Sequence, residues 1–240
     1  MKNFTNLSLV LYTFLMTLVL TTIDTVAQQK NGNGNLQAQT RKVSDFRGVN
    51  VSGGFSVEIK QGNNEELRIE AEENLLDNIK TVVRNGVLHI YSEGSINTSK
   101  GMKAYVTVKE LNKVSISGGV KVVGLSTFKT SEFDLDMSGG SNVKLAIDAK
   151  TIDVDMSGAS KITLTGKAND VTLDMSGASN VDARELAAKN VKVGASGASH
   201  VKVNASETLS INASGASHVA YAGTPKIDAE TTAASRISKL

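Results

Sequence analysis

The chain has 240 residues and a nearly balanced charge, with 26 Lys and Arg against 24 Asp and Glu and a formal net charge of +2. That balance argues against a nucleic-acid partner or an acidic membrane surface, because both require a concentrated basic charge. The absence of cysteine excludes disulfides, Cys-based zinc sites and a lipid attached to a cysteine.

Residues 1–27 have the features of a secretory signal peptide. A positive start at Lys2 precedes a largely apolar run over 7–23, and Thr25-Val26-Ala27 gives the small-x-small pattern that signal peptidase requires. A membrane anchor is the alternative, but the apolar run is interrupted and short for one. We therefore expect cleavage after Ala27, no stable membrane insertion, and a mature protein in the periplasm, on the cell surface or outside the cell.

The N-terminal part of the mature chain is irregular. Residues 28–41 are expected to form a flexible linker, because Asn and Gly alternate in 31–35. Residues 42–112 are expected to form a β segment that holds the first coil and caps the fold, covering an open strand edge. Within it, Asn85-Gly86 between β-rich flanks predicts a two-residue hairpin, and residues 72–77 predict a helical turn with acids at its start.

Residues 113–240 repeat with a period near twenty. A Ser-Gly-small tripeptide, called the marker below, recurs there at intervals of 21, 19, 19, 20, 18 and 18 residues, the last copy being a worn Thr232-Ala233-Ala234. A sustained period of this length is typical of a solenoid. The intact markers stand at residues 52–54, 117–119, 138–140, 157–159, 176–178, 196–198 and 214–216.

Apolar and polar residues alternate on both sides of each marker. Before one marker, Ile152, Val154 and Met156 alternate with aspartates, and the same pattern follows it. Period two indicates two short strands per repeat, joined by a bend at the marker and a second bend such as 166–170. Because equivalent residues match between copies, the strands should pair in parallel. The sequence therefore predicts an all-β fold, a right-handed parallel β-helix with coils of about 18–21 residues and an irregular N-terminal capping segment.

This stacking explains why Asp-Met-Ser-Gly-Ala-Ser occurs twice, at 155–160 and 174–179. The methionines of the two copies are predicted to stack inside the solenoid with Met137. The last serine of each copy lies on the apolar side of the alternation. We expect its hydroxyl to be buried and bonded to neighbouring backbone or to other serines. The full serine row is Ser141, Ser160, Ser179, Ser199, Ser217 and Ser235.

The marker glycine has two possible explanations, a positive φ or the close approach of a neighbouring coil. The worn last copy has Ala233 at this position, where no coil follows. That substitution favours close approach, and it predicts a negative φ at Gly177.

Three groups of residues resemble a known family. They are Asp-Phe-Arg-Gly-Val-Asn-Val-Ser-Gly-Gly-Phe-Ser-Val-Glu-Ile at 45–59, Asn-Leu-Leu-Asp-Asn-Ile at 74–79 followed by Asn-Gly-Val-Leu-His-Ile at 85–90, and the Ser-Gly-Ala-Ser repeats. Together they are similar to the head GIN domain family, described as putative auto-transporter adhesins, over roughly residues 41–240. The resemblance implies a β-helical, secreted or envelope protein of bacteria, and it transfers no catalytic or binding residue.

Five aspartates are predicted on the outward side of the strands that precede the markers. Stacked carboxylates could bind Ca²⁺, a hard cation that takes oxygen ligands. A solvated face neutralised by Lys144 and Lys161 is the better interpretation, because the row fades in later coils and no Gly-Gly-x-Gly-x-Asp repeat is present. The aspartates are Asp134, Asp136, Asp153, Asp155 and Asp174.

His200 and His218 occupy equivalent outward positions in consecutive coils. Two imidazoles one strand spacing apart could share a transition metal, but two ligands make a weak site. Lys161 and Arg236 occupy the same position in other coils, so a polar surface row is favoured. We predict no metal and no cofactor.

The sequence offers no set of catalytic residues. Three histidines give little choice of a base, no Ser-His-Asp set follows from the spacing, and the short coils lack loops to wall a groove. We therefore predict an exported, non-catalytic envelope or surface protein, an adhesin-like scaffold for a glycan or a protein. The alternative is a polysaccharide-active lyase or hydrolase on a β-helix, which converging acid and base residues in a groove would favour.

Overall fold

The computed structural model of the protein describes residues 29–232 and 234–240. The predicted signal peptide and Ala233 lie outside the described residues. Within the described part of the chain, no helix is long and apolar enough to cross a membrane. The strands are β1 Lys30–Asn31, β2 Leu36–Arg41, β3 Gly48–Ser52, β4 Phe55–Gln61, β5 Glu66–Glu72, β6 Ile79–Arg84, β7 Val87–Ser92, β8 Ile96–Asn97, β9 Met102–Val108, β10 Lys113–Ser117, β11 Lys121–Lys129, β12 Glu132–Gly139, β13 Asn142–Asp148, β14 Thr151–Gly158, β15 Lys161–Met175, β16 Asn180–Ala195, β17 His200–Ala213, β18 His218–Gly223, β19 Lys226–Thr231 and β20 Arg236–Lys239, and a 3₁₀ helix spans Glu73–Asn78.

The strands form a β-solenoid of about seven turns, which confirms the predicted fold class. Strands that run into a marker pair in parallel with their equivalents in the next coil, and we call them the pre-marker stack. Strands that leave a marker do the same and form the post-marker stack. The pre-marker stack is β7, β3, β10, β12, β14, β15, β16, β17 and β19, and the post-marker stack is β9, β4, β11, β13, β15, β16, β17, β18 and β20.

Three strands, β15, β16 and β17, contribute to both stacks because they continue through the second bend of the coil. The sequence predicted two short strands joined by a bend at residues 166–170, whereas the structure keeps these residues inside one strand, β15. The hydrogen bonds of the ladder run from coil to coil along the solenoid axis, so a bend within the plane of one coil does not interrupt them. Ala168, in the middle of the bend, still pairs with Ala188 of the next coil.

The three repeated methionines stack in one buried row, as predicted. Met137 pairs with Met156, and Met156 pairs with Met175. Each of them is 3–4% exposed. Burying one such side chain stabilises the fold by about 1.5–3 kcal/mol. Because each methionine is buried by its neighbours in the row, a coil folds only against an adjacent coil.

The serine that closes each hexapeptide is buried at the corner of the coil, as predicted. Ser160 is 2% exposed. Its Oγ donates to the carbonyl oxygen of Gly139 at 3.0 Å and accepts from the amide of Ser141 at 3.3 Å. Ser141 Oγ likewise donates to the carbonyl oxygen of Gly118 at 2.7 Å. The hydroxyls therefore bond to the backbone of the preceding coil and bind one corner to the next.

The marker glycines have a positive φ, so the negative φ predicted for Gly177 is wrong. Gly177 has a φ of 94°, and the other intact markers range from 70° to 107°. Close approach is present as well. A Cβ added to Gly177 would stand 2.5 Å from the carbonyl oxygen of Gly158 in the preceding coil. Both demands select glycine, and Ala233, on which the prediction rested, lies outside the described residues.

The N-terminal segment caps one end of the solenoid, as predicted. The chain forms the β3–β4 coil and then returns to add the β7–β9 coil on its outer side. The regular coils begin on the other side, at β10–β11. Antiparallel strands complete the cap, with β6 on β7 and β5 on β9. Asn85 and Gly86, both with positive φ, form the predicted hairpin turn, and the 3₁₀ helix buries Leu75 and Leu76.

Residues 36–41 are a strand, so the flexible linker predicted over 28–41 is wrong for them. This strand, β2, pairs antiparallel with β5 over its whole length. None of its side chains is buried, so no apolar alternation marks it in the sequence. Arg41 fixes its end by donating to the carbonyl oxygens of Leu76 at 2.9 Å and Ile79 at 2.5 Å.

A buried carboxylate, Glu72, joins three segments of the cap. The residue is 0% exposed. Its oxygens accept hydrogen bonds from the Thr98 hydroxyl at 2.6 Å, the Gly34 amide at 2.8 Å, and the hydroxyl and amide of Ser99 at 3.0 and 3.1 Å. These bonds, that from Thr98 first, lower the pKa of Glu72 from an ordinary 4.5 to about 2. In the sequence, Glu72 stands only as one of the acids at the start of the predicted helical turn, with no sign of its burial.

Glu72 should make the cap sensitive to acid. Because its pKa in the folded state is depressed, its stabilisation is complete above pH 4.5 and is lost as the pH falls through about 2. We expect Glu72→Gln to lower the urea midpoint of unfolding at pH 7 and to flatten its pH dependence between pH 5 and 2. Glu73→Gln, at an exposed neighbour, is the control. Parallel midpoint curves for Glu72→Gln and the unchanged chain would contradict this role.

Candidate binding surface

An open trough of about 900 Å³ runs along the outer side of the pre-marker stack. The period-two alternation places every second side chain of these strands on that side. Two rows of polar side chains line it, an acidic row and a row formed by the marker serines. The acidic row is Asp136, Asp155 and Asp174, and the marker serine row is Ser117, Ser138, Ser157, Ser176, Ser196 and Ser214.

The acidic row is in register across three coils. Asp136 pairs with Asp155, and Asp155 pairs with Asp174. At the end of the row nearer the N-terminal cap, Asp136 forms an ion pair with the Lys113 ammonium at 3.0 Å and accepts a hydrogen bond from the Ser115 hydroxyl at 3.1 Å. The hydrogen bond to Asp136 raises the pKa of Lys113. This end of the row is therefore partly neutralised.

The rest of the acidic row keeps its charge open to solvent. Asp155 and Asp174 are exposed, and neither forms an ion pair among the described residues. The row ends at Gly194 in the next coil, where an added Cβ would collide with Oδ1 of Asp174. Lys192, two residues before Gly194 in the same strand, lines the trough one ladder away. The acidic row is thus flanked by a lysine in the coil before it, Lys113, and a lysine in the coil after it, Lys192.

The marker serines are held in place by the backbone of the preceding coil. Ser176 Oγ donates to the carbonyl oxygen of Met156 at 3.4 Å, and Ser196 Oγ donates to that of Met175 at 3.2 Å. Each hydroxyl uses its proton in this bond and keeps its oxygen as an acceptor. The marker serines from Ser138 to Ser196 therefore add one hydrogen-bond acceptor per coil beside the three carboxylates of the acidic row.

The structure divides the five predicted aspartates between two ladders on the same face. Asp134 and Asp153 pair with each other one ladder away from the acidic row. Asp134 lines a second depression of about 600 Å³, where burial raises its pKa. The counter-ions expected from the sequence, Lys144 and Lys161, lie instead in the post-marker strands β13 and β15.

His200 and His218 are adjacent, as the period predicts. They pair in register, and their ring centroids are 6.2 Å apart in an edge-to-face arrangement. Nε2 of His218 lies 3.0 Å from the Ser238 hydroxyl. Among residues 29–232 and 234–240, no group of three or more His, Asp or Glu side chains is placed to hold a metal ion. The histidines form a polar pair on the post-marker stack.

Neither the concave shape of the trough nor the place of Lys113 beside it was predicted from the sequence. The lysine follows an irregular segment, and it meets Asp136 only because β10 pairs with β12 in the register that places Lys113 opposite Asp134. The repeat itself was the signal that could have placed Lys113. Extending the marker alignment back to residue 117 puts Lys113 two positions from Ser115, in the ladder beside the acidic row.

Comparisons with known proteins agree with this fold. A family model described as putative auto-transporter adhesin, head GIN domain, matches residues 45–225. No curated protein matches the chain. The crystal structure of a putative adhesin from Bacteroides fragilis is 22% identical, with a TM-score of 0.83, and the match covers 88% of this chain and 99% of that one. A putative lipid binding protein from Parabacteroides distasonis is 22% identical (TM-score 0.73, 89% and 100% covered), and a putative adhesin from Parabacteroides merdae is 16% identical (TM-score 0.72, 89% and 100% covered).

Proposed function

Because the chain belongs to the head GIN domain family of putative auto-transporter adhesins, we propose that it is an exported, non-catalytic scaffold of the cell envelope or surface. The trough on the pre-marker stack is its binding surface. The observation that carries this proposal is the pair of acceptor rows, repeated from coil to coil along an open groove. Such a surface suits a partner that is itself extended and repetitive.

A linear glycan fits the trough better than a protein does. The acceptors recur at the spacing of parallel strands, ~4.8 Å, and every sugar unit of a linear glycan presents several hydroxyl donors. Protein interfaces concentrate aromatic residues, Met and Arg at their centre and are depleted of Asp and Ser. Asp155, Asp174 and the marker serines form the centre of this surface. We therefore assign the trough to a glycan whose charge is neutral or positive.

The enzyme alternative gains no support from the trough. Glycoside hydrolysis needs two carboxyl groups that flank the bond, one acting as acid and the other as base or nucleophile. The aspartates of the trough instead stand in a straight ladder on one side, in register from coil to coil. This arrangement binds along a chain and does not enclose one bond.

Glycan-array binding tests the proposal. The full chain is expressed in a bacterial host, recovered from the envelope and applied to the array. We expect it to bind a subset of linear glycans, and we expect Asp155→Lys to weaken that binding at least about tenfold, because it removes a charged hydrogen-bond acceptor. Glu185→Lys, at an exposed position in the post-marker part of β16, is the matched change of charge and should leave binding unchanged.

Two results would count against the proposal. One is an array on which the folded protein binds no glycan, which would favour a protein as the partner. The other is binding that Asp155→Lys and Glu185→Lys reduce equally, since that would place the glycan away from the trough.

A further inference from the structure

The two ends of the solenoid differ. At the N-terminal end, antiparallel strands and the buried leucines of the 3₁₀ helix cover the first coil. At the other end, β19 pairs only with β17, and β20 pairs only with β18, among the described residues. The outer edge of each terminal strand therefore presents unpaired backbone groups, which are a template for pairing with another strand.

The last coil also exposes apolar side chains. Ile227 in β19 is 40% exposed, and Leu240, just after β20, is 55% exposed. Ile237 packs only partly against the core. In the coil beneath, Leu209 and Ile211 are at most 2% exposed. The apolar rows of the solenoid thus continue into a coil with nothing described on its far side.

The two terminal strands carry opposite charges near the corner. Asp228 and Glu230 of β19 are in register with the outward Ser210 and Asn212 of β17, and Arg236 begins β20. None of the three charged residues forms an ion pair among the described residues. Glu230 lies three positions before residue 233 and Arg236 lies three positions after it. The acidic and basic positions are therefore symmetric about the middle of the worn marker.

We infer that this end of the solenoid binds a second copy of the chain. A two-fold axis through the corner would lay β19 of one copy antiparallel to β20 of the other, on both sides of the corner. Glu230 of each copy would then face Arg236 of its partner, and the exposed Ile227 and the half-buried Ile237 would be covered. Such an interface uses the same patch twice and closes at two copies. The N-terminal end finishes in the antiparallel strands β2 and β6 and not in an open coil, so it does not offer the matching corner that head-to-tail stacking would need.

Charge reversal and rescue test the inference, with molar mass measured by sedimentation and light scattering over a range of concentrations. The full chain is purified from a bacterial host, and circular dichroism verifies its fold. We expect a dimer for the unchanged chain. Arg236→Glu places like charges together twice in the interface and should raise the dimer Kd roughly a hundredfold. Glu230→Arg should do the same, and the double variant Glu230→Arg/Arg236→Glu should restore the dimer.

Lys202→Glu provides the control, because Lys202 is an exposed cation in the post-marker part of β17, two strands away from the terminal strand β20. It should leave the dimer mass unchanged. A folded wild-type chain that stays monomeric at the highest concentration would overturn the inference. So would single reversals that remain dimeric, or a double variant that remains monomeric.

Discussion

Met156→Asp should unfold the middle of the solenoid. Met156 is 3% exposed and lies between Met137 and Met175 in the inner row. The substitution removes a buried apolar side chain and leaves a carboxylate without a partner in its place. We expect the free energy of unfolding to fall by about 3–5 kcal/mol, the cost of a large core truncation or of an uncompensated buried charge. Urea unfolding followed by circular dichroism measures the change.

The neighbouring residue provides the control for this experiment. Asp155 is next in the chain but exposed on the outer side of the same strand. Asp155→Asn should change stability by no more than about 0.5 kcal/mol, as is usual at an exposed position. Equal losses for Met156→Asp and Asp155→Asn would mean that the alternation of inward and outward residues is wrong.

Gly177→Ala should also be strongly destabilising, although it adds only one methyl group. The φ of 94° disfavours any L side chain, and the new Cβ would stand 2.5 Å from the Gly158 carbonyl oxygen. That oxygen also accepts a hydrogen bond from the Ala178 amide, so it cannot withdraw without loss. Strain and overpacking together should cost on the order of 2–4 kcal/mol, measured by urea unfolding.

Gly140→Ala is the matched control, because Gly140 occupies the position that is Ala159 and Ala178 in the next two coils. A Cβ there meets nothing within 4 Å, and the residue has no positive φ. The change should be neutral or stabilising by up to about 1 kcal/mol, since it restricts the unfolded chain. If Gly140→Ala cost as much as Gly177→Ala, neither the backbone angle nor the contact would explain the repeated glycine.

The regular coils could be predicted from the sequence because each contact is repeated. One alternation, read at Ile152–Met156, gives the inward and outward sides of every coil, and the spacing of the markers gives the register. The cap does not repeat. Strand β3 lies between β7 and β10, although about forty residues separate it from β7 along the chain. Strand β2 has no buried face, so only its tertiary partner β5 defines it.

At the corner and in the trough, prediction from the sequence was incomplete for other physical reasons. A positive φ and a crowded backbone both select glycine, so Gly177 alone could not reveal that both were present. The outward aspartates were placed on the correct face by period two. Their neighbour Lys113 was missed because it lies at the start of β10, where the regular repeat meets the irregular segment. The concavity of the trough is a property of several stacked coils together, which no alternation pattern within one coil contains.

The hydrogen bonds at the corner are the same in successive coils, so the solenoid can change length by whole coils. Ser160 bonds to Gly139 and Ser141 in the adjacent coil, and the hexapeptide reads the same at 155–160 and at 174–179. Loss of residues 157–175 would join Met156 to Ser176 and leave the local sequence at the junction unchanged. Duplication of the same segment would add a coil just as cleanly. Recombination between repeats can therefore lengthen or shorten the trough by whole coils. Such changes would match it to longer or shorter partners while its chemistry stays the same.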